Sequence, residues 1–122
     1  MPGASSVTTA CLQAWSSGDF DTARSLIHDD ISFVGPFGSA QGADAYLSGL
    51  RRFYDRGIQA ADVRRVFADG DEVCIIYDLV TRTSSDTIAT AAWYRVRAGR
   101  ISSVRAFFDP RPLVPAPATA GS

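Results

Sequence analysis

The stretch EVCIIYDLVTRTSSDTIATAAWYRVRAGRISSVRAFF, residues 72–108, decides the fold, because its apolar residues recur at every second position. Side chains alternate across a strand, so each segment has two sets, and charge separates them. Val73, Ile75, Tyr77, Leu79 and Thr81 are uncharged, whereas Cys74, Ile76, Asp78, Val80 and Arg82 carry two charges. Ile88, Thr90, Ala92, Tyr94 and Val96 oppose Ala89, Ala91, Trp93, Arg95 and Arg97 in the same way. Val104, Ala106 and Phe108 oppose Ser103, Arg105, Phe107 and Asp109. The uncharged set is the inner one. With a further strand at about 62–69, the expected strands are 62–69, 72–83, 87–98 and 101–108. Asp69-Gly70-Asp71, Ser84-Ser85-Asp86 and Ala98-Gly99-Arg100 supply the turns of a meander of consecutive hairpins.

Upstream of Gly57 the period is close to four, as a helix requires. Val7, Cys11 and Trp15, with Leu12 beside them, form one stripe over 5–17, and Gly18 ends it. Asp19 offers an N-cap oxygen to a second helix running from Phe20 to about His28, with Phe20, Ala23, Leu26 and Ile27 on one face. That places His28, the one histidine, at the negative end of the helix dipole. Asp29 and Asp30 read as a solvated turn before a short strand from Ile31 to Val34, stopped by Gly-Pro-Phe-Gly at 35–38. A third helix spans 43–56 with Tyr46, Leu47, Leu50, Phe53 and Tyr54 as its apolar positions. Three N-terminal helices followed by a meander imply an α+β fold with the helices on one face of the sheet.

The chain's 122 residues make one domain, expected over 1–113, with a Pro- and Ala-rich tail at 114–122. Leu113 and Val114 are the residues by which that end would dock. Twelve arginines against thirteen acids leave a net charge of −1, which supplies no basic field for nucleic acid or an anionic membrane. Cys11 and Cys74 lack the spacing of a metal or redox motif, so free thiols, no metal and no cofactor are expected. Without a long apolar run, a cytoplasmic location is expected.

The string AWSSGDFDTARSLIHDDISFVGPFGSAQG (14–42), the segment RRFYDRG (51–57) and the closing GRISSVRAFFDPRPL (99–113) resemble the nuclear transport factor 2-like superfamily, in particular its SnoaL-like branch. The resemblance covers about 5–113 and implies a cone: a curved antiparallel sheet wrapped by three helices, usually dimeric, around a deep pocket. It says little about chemistry, since one fold hosts many activities. The ketosteroid isomerase machinery of a carboxylate base, a phenol and a protonated acid falls on Gly35, Cys11 and about Ala92 here. The acid, arginine, acid set of limonene-epoxide hydrolases falls on Tyr77, Leu79 and Ala106, with its helpers on Phe33 and Gly35. None of those positions holds the family's group. SnoaL-type polyketide cyclases use an acidic base in the same cavity, and the inner set offers no Asp or Glu for it.

The expected pocket is therefore apolar, lined by Cys11, Trp15, Phe33, Gly35, Ile75, Tyr77, Leu79, Ala92, Tyr94, Val104, Ala106 and Phe108. It suits a hydrophobic small molecule such as a polyketide, terpenoid or steroid-sized ring. Tyr77 and Tyr94 are the candidates for chemistry, because a phenol can donate to a carbonyl or a developing oxyanion. Core packing is the plain alternative for both. Cys11 sits mid-helix with nothing to lower its pKa and is expected to be inert. Asp78 is expected to pair with Arg95 or Arg105, and Asp109 with an arginine. The outer sheet face carries Ile76, Val80, Trp93 and Phe107 among Asp78, Arg95 and Arg105, a mixture that suits a homodimer contact. Three functions remain open: a small-molecule binding domain, a cyclase, isomerase or epoxide-opening enzyme working through tyrosines, and a dimeric interaction module.

Overall fold

The computed structural model describes residues 3–82 and 87–111. The elements run α1 (Ala4–Ser16), α2 (Phe20–Ser25), β1 (Ile27–Gly35), β2 (Gly38–Gln41), α3 (Ala43–Asp55), β3 (Ile58–Asp69), β4 (Glu72–Thr81), β5 (Thr87–Arg97) and β6 (Arg100–Phe108). The six strands form one sheet in the order β2-β1-β6-β5-β4-β3.

The meander stands as expected: β3, β4, β5 and β6 pair antiparallel in succession. Its alternation is that of the charges. Val73, Ile75, Tyr77, Leu79, Ile88, Thr90, Ala92, Tyr94, Val96 and Val104 are buried, and the opposite set is half-buried or exposed. Gly70 takes a φ of +60° and leads a two-residue turn between Asp69 and Glu72. At the β5–β6 turn Ala98 and Gly99 both take positive φ, 52° and 78°, as a type I′ hairpin needs. Ser84-Ser85-Asp86, Leu113, Val114 and the 114–122 tail lie outside the described residues.

Upstream of the meander the structure differs. α2 is six residues long, ending at Ser25, and Ile27 already belongs to β1. Ile27 falls four residues after Ala23, so the sequence shows helical spacing where the chain has turned into a strand. Ile27 and Ile31 are both fully buried, as residues four apart on a strand can be, but Asp29 between them is exposed, because a register shift between Ile27 and Ser32 breaks the two-residue period. His28 is therefore on a strand, not at a helix end, and its Nε2 lies 2.6 Å from the Arg97 carbonyl oxygen. Asp29 and Asp30 are strand residues too: Asp29 pairs with Arg24, and Asp30 accepts from Arg97 at 3.1 Å.

The strand expected at 62–69 begins at Ile58, where shifts at Ile58/Ala60 and Val63/Arg65 hide its alternation. β2, with the sequence GSAQ, was not expected at all; Gly35 and Gly38 close a hairpin around Pro36 and Phe37. The sheet is also mixed rather than wholly antiparallel, since β1 pairs with β6 in parallel.

These register shifts bend the sheet, and the helices fill its concave side. α1 buries Val7, Cys11, Leu12, Ala14 and Trp15 there. Gly18 turns the chain between α1 and α2 with a φ of +89°, and a Cβ at that position would stand 3.0 Å from the Tyr54 hydroxyl, so both backbone and space require glycine. The Asp19 carboxylate caps α2 by accepting from the Thr22 amide at 3.1 Å. No helix among the described residues is long and apolar enough to cross a membrane. On the outer face Asp78 pairs with Arg64 of β3 at 2.8 Å, not with Arg95 or Arg105. β3 is the edge strand and brings its own cations alongside. Arg95 instead approaches Glu72, and Asp109 pairs with Arg111.

Candidate functional site

A cavity of about 230 Å³ lies between the concave sheet and α3. Its floor is the inner set of the meander: Tyr77 and Leu79 from β4, Ala92 and Tyr94 from β5, Val104, Ala106 and Phe108 from β6. α1 contributes Trp15, and β1 contributes Phe33. α3 closes the other side with Ala45, Tyr46, Gly49, Leu50, Arg52, Phe53 and Arg56. The β1–β2 hairpin supplies Pro36 and Phe37 at the rim. Phe37, Phe53 and Phe108 pack at centroid distances of 5.5–6.4 Å, with Trp15 5.8 Å from Phe53. The walls are mostly carbon, built by side chains whose burial the sheet alternation already dictates.

Nine of the twelve expected lining residues are in place. Cys11, Gly35 and Ile75 are not among the lining side chains. Cys11 and Ile75 are fully buried core residues. Gly35 has a different role, since a Cβ there would stand 2.6 Å from the Phe33 ring. The absent side chain lets Phe33 lie back along its own strand and present its ring to the cavity and to Tyr46, 5.4 Å away. A carboxylate at position 35 would displace that ring.

Sequence reasoning missed Tyr46 as a site residue, taking it for an apolar position of α3. It also missed Arg52 and Arg56, which give the rim the charge that the inner strands lack. One signal was available: Ala45 and Gly49 are small residues four apart on a helix, which leaves a gap on the face they share with Tyr46, Phe53 and Arg56.

Tyr46, Tyr77 and Tyr94 are each at most 5% exposed, and none of their hydroxyls meets a hydrogen-bond partner among the described residues. No buried polar side-chain atom among those residues is left without a partner, so the three oxygens open onto the cavity space. Burial holds all three phenols above their ordinary value of 10, and charge proximity adds to it at two of them: Cys11 and Tyr77 act on Tyr46, and Tyr77 and Tyr46 act on Tyr94. They are neutral donors at physiological pH. Burial likewise pushes the Cys11 thiol up to about 12, so it is no nucleophile at neutral pH. Among the described residues the lining contains no Asp, Glu or His. Among the described residues no three side chains are grouped to hold a metal ion. Chemically, the cavity can donate hydrogen bonds to an acceptor on an apolar guest, and it holds no carboxylate or imidazole to take a proton.

A family model described as "SnoaL-like domain" matches residues 8–104. This chain belongs to the SnoaL-like family. Its fold is that of the nuclear transport factor 2-like superfamily, as the solved structures agree. A protein from Kribbella flavida is 30% identical, with a TM-score of 0.83 over 90% of this chain and 89% of that one. An NTF2-like protein of unknown function from Cytophaga hutchinsonii is 26% identical, with a TM-score of 0.78 over 93% and 96%. An LEH-like epoxide hydrolase from M. tuberculosis, 24% identical with a TM-score of 0.75 over 90% and 85%, shares the fold. No curated protein matches the chain. Within the SnoaL-like family, then, this member has a chamber whose polar floor is phenolic.

The burial of these four groups sets a pH dependence. The folded chain retains protons that the unfolded chain releases above 9.0 for the thiol and 10.0 for the phenols. Stability is therefore complete below about pH 9 and falls as the pH rises, by ~1.4 kcal/mol per unit for each group ionised only when unfolded. Urea unfolding followed from about pH 8 to about pH 11 is expected to show this loss; a flat profile over that range contradicts it.

Proposed function

We propose that this SnoaL-like domain binds a hydrophobic small molecule in the chamber, oriented by hydrogen bonds from Tyr46, Tyr77 and Tyr94 to an acceptor such as a carbonyl. The observation that carries this is the three neutral hydroxyls, which line an apolar cavity and meet no hydrogen-bond partner among the described residues. Buried polar groups are normally paired, so donors left open are available to a guest or to water. The chamber's size favours a compact ring compound. It also speaks against an interaction module whose interior is filled by its own side chains. Two free cysteines fit a reducing, cytoplasmic setting.

An enzymatic form of the same reading is favoured by the phenol cluster. Donors fixed in a dry cavity stabilise a developing oxyanion, and a close-fitting wall holds a reactive substrate in one conformation. Cyclisation, isomerisation or epoxide opening would then leave any proton removal to solvent water, with the phenols acting as donors only. This chain lacks the isomerase and epoxide-hydrolase groups at Gly35, Cys11, Ala92, Tyr77, Leu79 and Ala106.

We also propose a homodimer through the outer sheet face. Trp93 is 40% and Phe107 54% exposed there, beside Ile76, Val80, Asp78, Arg95 and Arg105. Phe67 of β3, 60% exposed, extends the same row through Cys74 to Trp93. Sedimentation equilibrium at micromolar concentration is expected to show twice the chain mass of 13.1 kDa; a single species of 13.1 kDa rejects the dimer.

Thermal shift with α-tetralone and its hydrocarbon parent tetralin tests the binding reading. Both compounds are expected to raise Tm, and the ketone to bind roughly five- to tenfold more tightly through one net hydrogen bond. The advantage is expected to vanish in the combined Tyr46→Phe, Tyr77→Phe, Tyr94→Phe variant. No stabilisation by either compound defeats the reading. Equal affinities in the wild-type chain defeat the role given to the phenols.

A further inference from the structure

The rim of the chamber differs from its floor. α3 places Ala45, Gly49, Arg52, Phe53 and Arg56 along the side facing the cavity, so two guanidinium groups stand at the mouth of an otherwise uncharged site. Arg52 bends back along the helix, its terminal nitrogen 3.9 Å from where a Cβ on Gly49 would stand. Arg56 lies over the Phe37 ring with its guanidinium carbon 4.9 Å from the centroid. The acids of the same helix, Asp44 and Asp55, are not among the lining side chains, and no other lining residue among those described is an acid. Arg52 forms no ion pair among the described residues, whereas Arg24, Arg64, Arg95, Arg97 and Arg111 each have one.

Cations in the last turn of a helix also complement its dipole, and that alone would explain their presence in the sequence. It does not explain their placement. Arg51, the neighbour of Arg52 on the helix, lies over Phe20 on another side, 4.4 Å from the ring centroid. Only Arg52 and Arg56 line the opening.

We propose that the mouth is an anion subsite, so that the preferred ligand is an amphipathic monoanion: an apolar ring body inside the chamber and a carboxylate or similar group held at the rim by Arg52 and Arg56. A guanidinium fork matches a planar carboxylate, and the apolar wall behind it reduces solvent competition. The phenols then meet acceptors on the buried part of the ligand. The anion keeps its contact with water, so no charge is buried, which the acid-free and base-free floor would not tolerate. This inference rests on the binding reading above, and its test separates the two.

Two fluorescent probes differ by one sulfonate: 8-anilinonaphthalene-1-sulfonate and neutral N-phenyl-1-naphthylamine. Titration of the full chain with the neutral probe reports on the chamber, and the ratio of the two affinities reports on the rim. The anionic probe is expected to bind about tenfold more tightly than the neutral one, with the advantage weakened by added salt. Arg52→Gln combined with Arg56→Gln is expected to remove that advantage and leave the neutral probe unchanged, while Arg51→Gln leaves both unchanged. If the neutral probe binds but the ratio is about one, or falls as much in Arg51→Gln as in the rim variant, the anion subsite is overturned while the chamber stands. If neither probe binds, both readings fall together.

Discussion

Curvature of the sheet is the constraint from which the rest follows. A flat sheet with three helices laid on it would close into a packed core with no space to spare. Register shifts in β1, β3 and β5 bend this one, and α3 spans the concave side instead of settling onto it. The hollow is then lined by whatever the inner parity of β4, β5 and β6 presents. That parity carries aliphatic side chains, alanine and two tyrosines, so the hollow is apolar with phenolic donors at its floor. Charge on the opposite parity completes the division, since Asp78, Arg95 and Arg105 stay at the outer face.

Within that hollow the fine geometry depends on small residues. Ala92 and Ala106 keep the floor low. Gly35 lets Phe33 fold onto its own strand, and so a position where related isomerases carry a base here serves an aromatic wall.

The sequence disclosed the meander and its inner face because three consecutive strands keep strict two-residue alternation with charge confined to one parity. It disclosed seven lining residues for the same reason, while Trp15 came from the helical stripe of α1 and Phe33 from the short strand before Gly35. The N-terminal half of β1 was hidden because Ile27, four residues after Ala23, continues the spacing of a helix. β2 was hidden because GSAQ has no apolar pattern and is held only by its pairing with β1. The parallel contact between β1 and β6 joins residues far apart in the sequence, as Ile27 with Ile101, and no local period encodes it. Tyr46 was misjudged because a tyrosine on an apolar helix stripe looks like core until the sheet beneath it proves concave. Arg52 and Arg56 look like ordinary solvated arginines until the cavity opens beside them.

The proposed binding role depends on three phenol oxygens that meet no hydrogen-bond partner among the described residues, and stability measures this directly. Urea unfolding of Tyr46→Phe, Tyr77→Phe and Tyr94→Phe, singly and combined, compares the chain with and without those oxygens while keeping every ring. Hydroxyls reserved for a guest leave the unfolding free energy of the empty protein within about 0.5 kcal/mol of wild type. A loss of about 1 kcal/mol or more for each substitution, as for hydroxyls bonded within a core, contradicts the account.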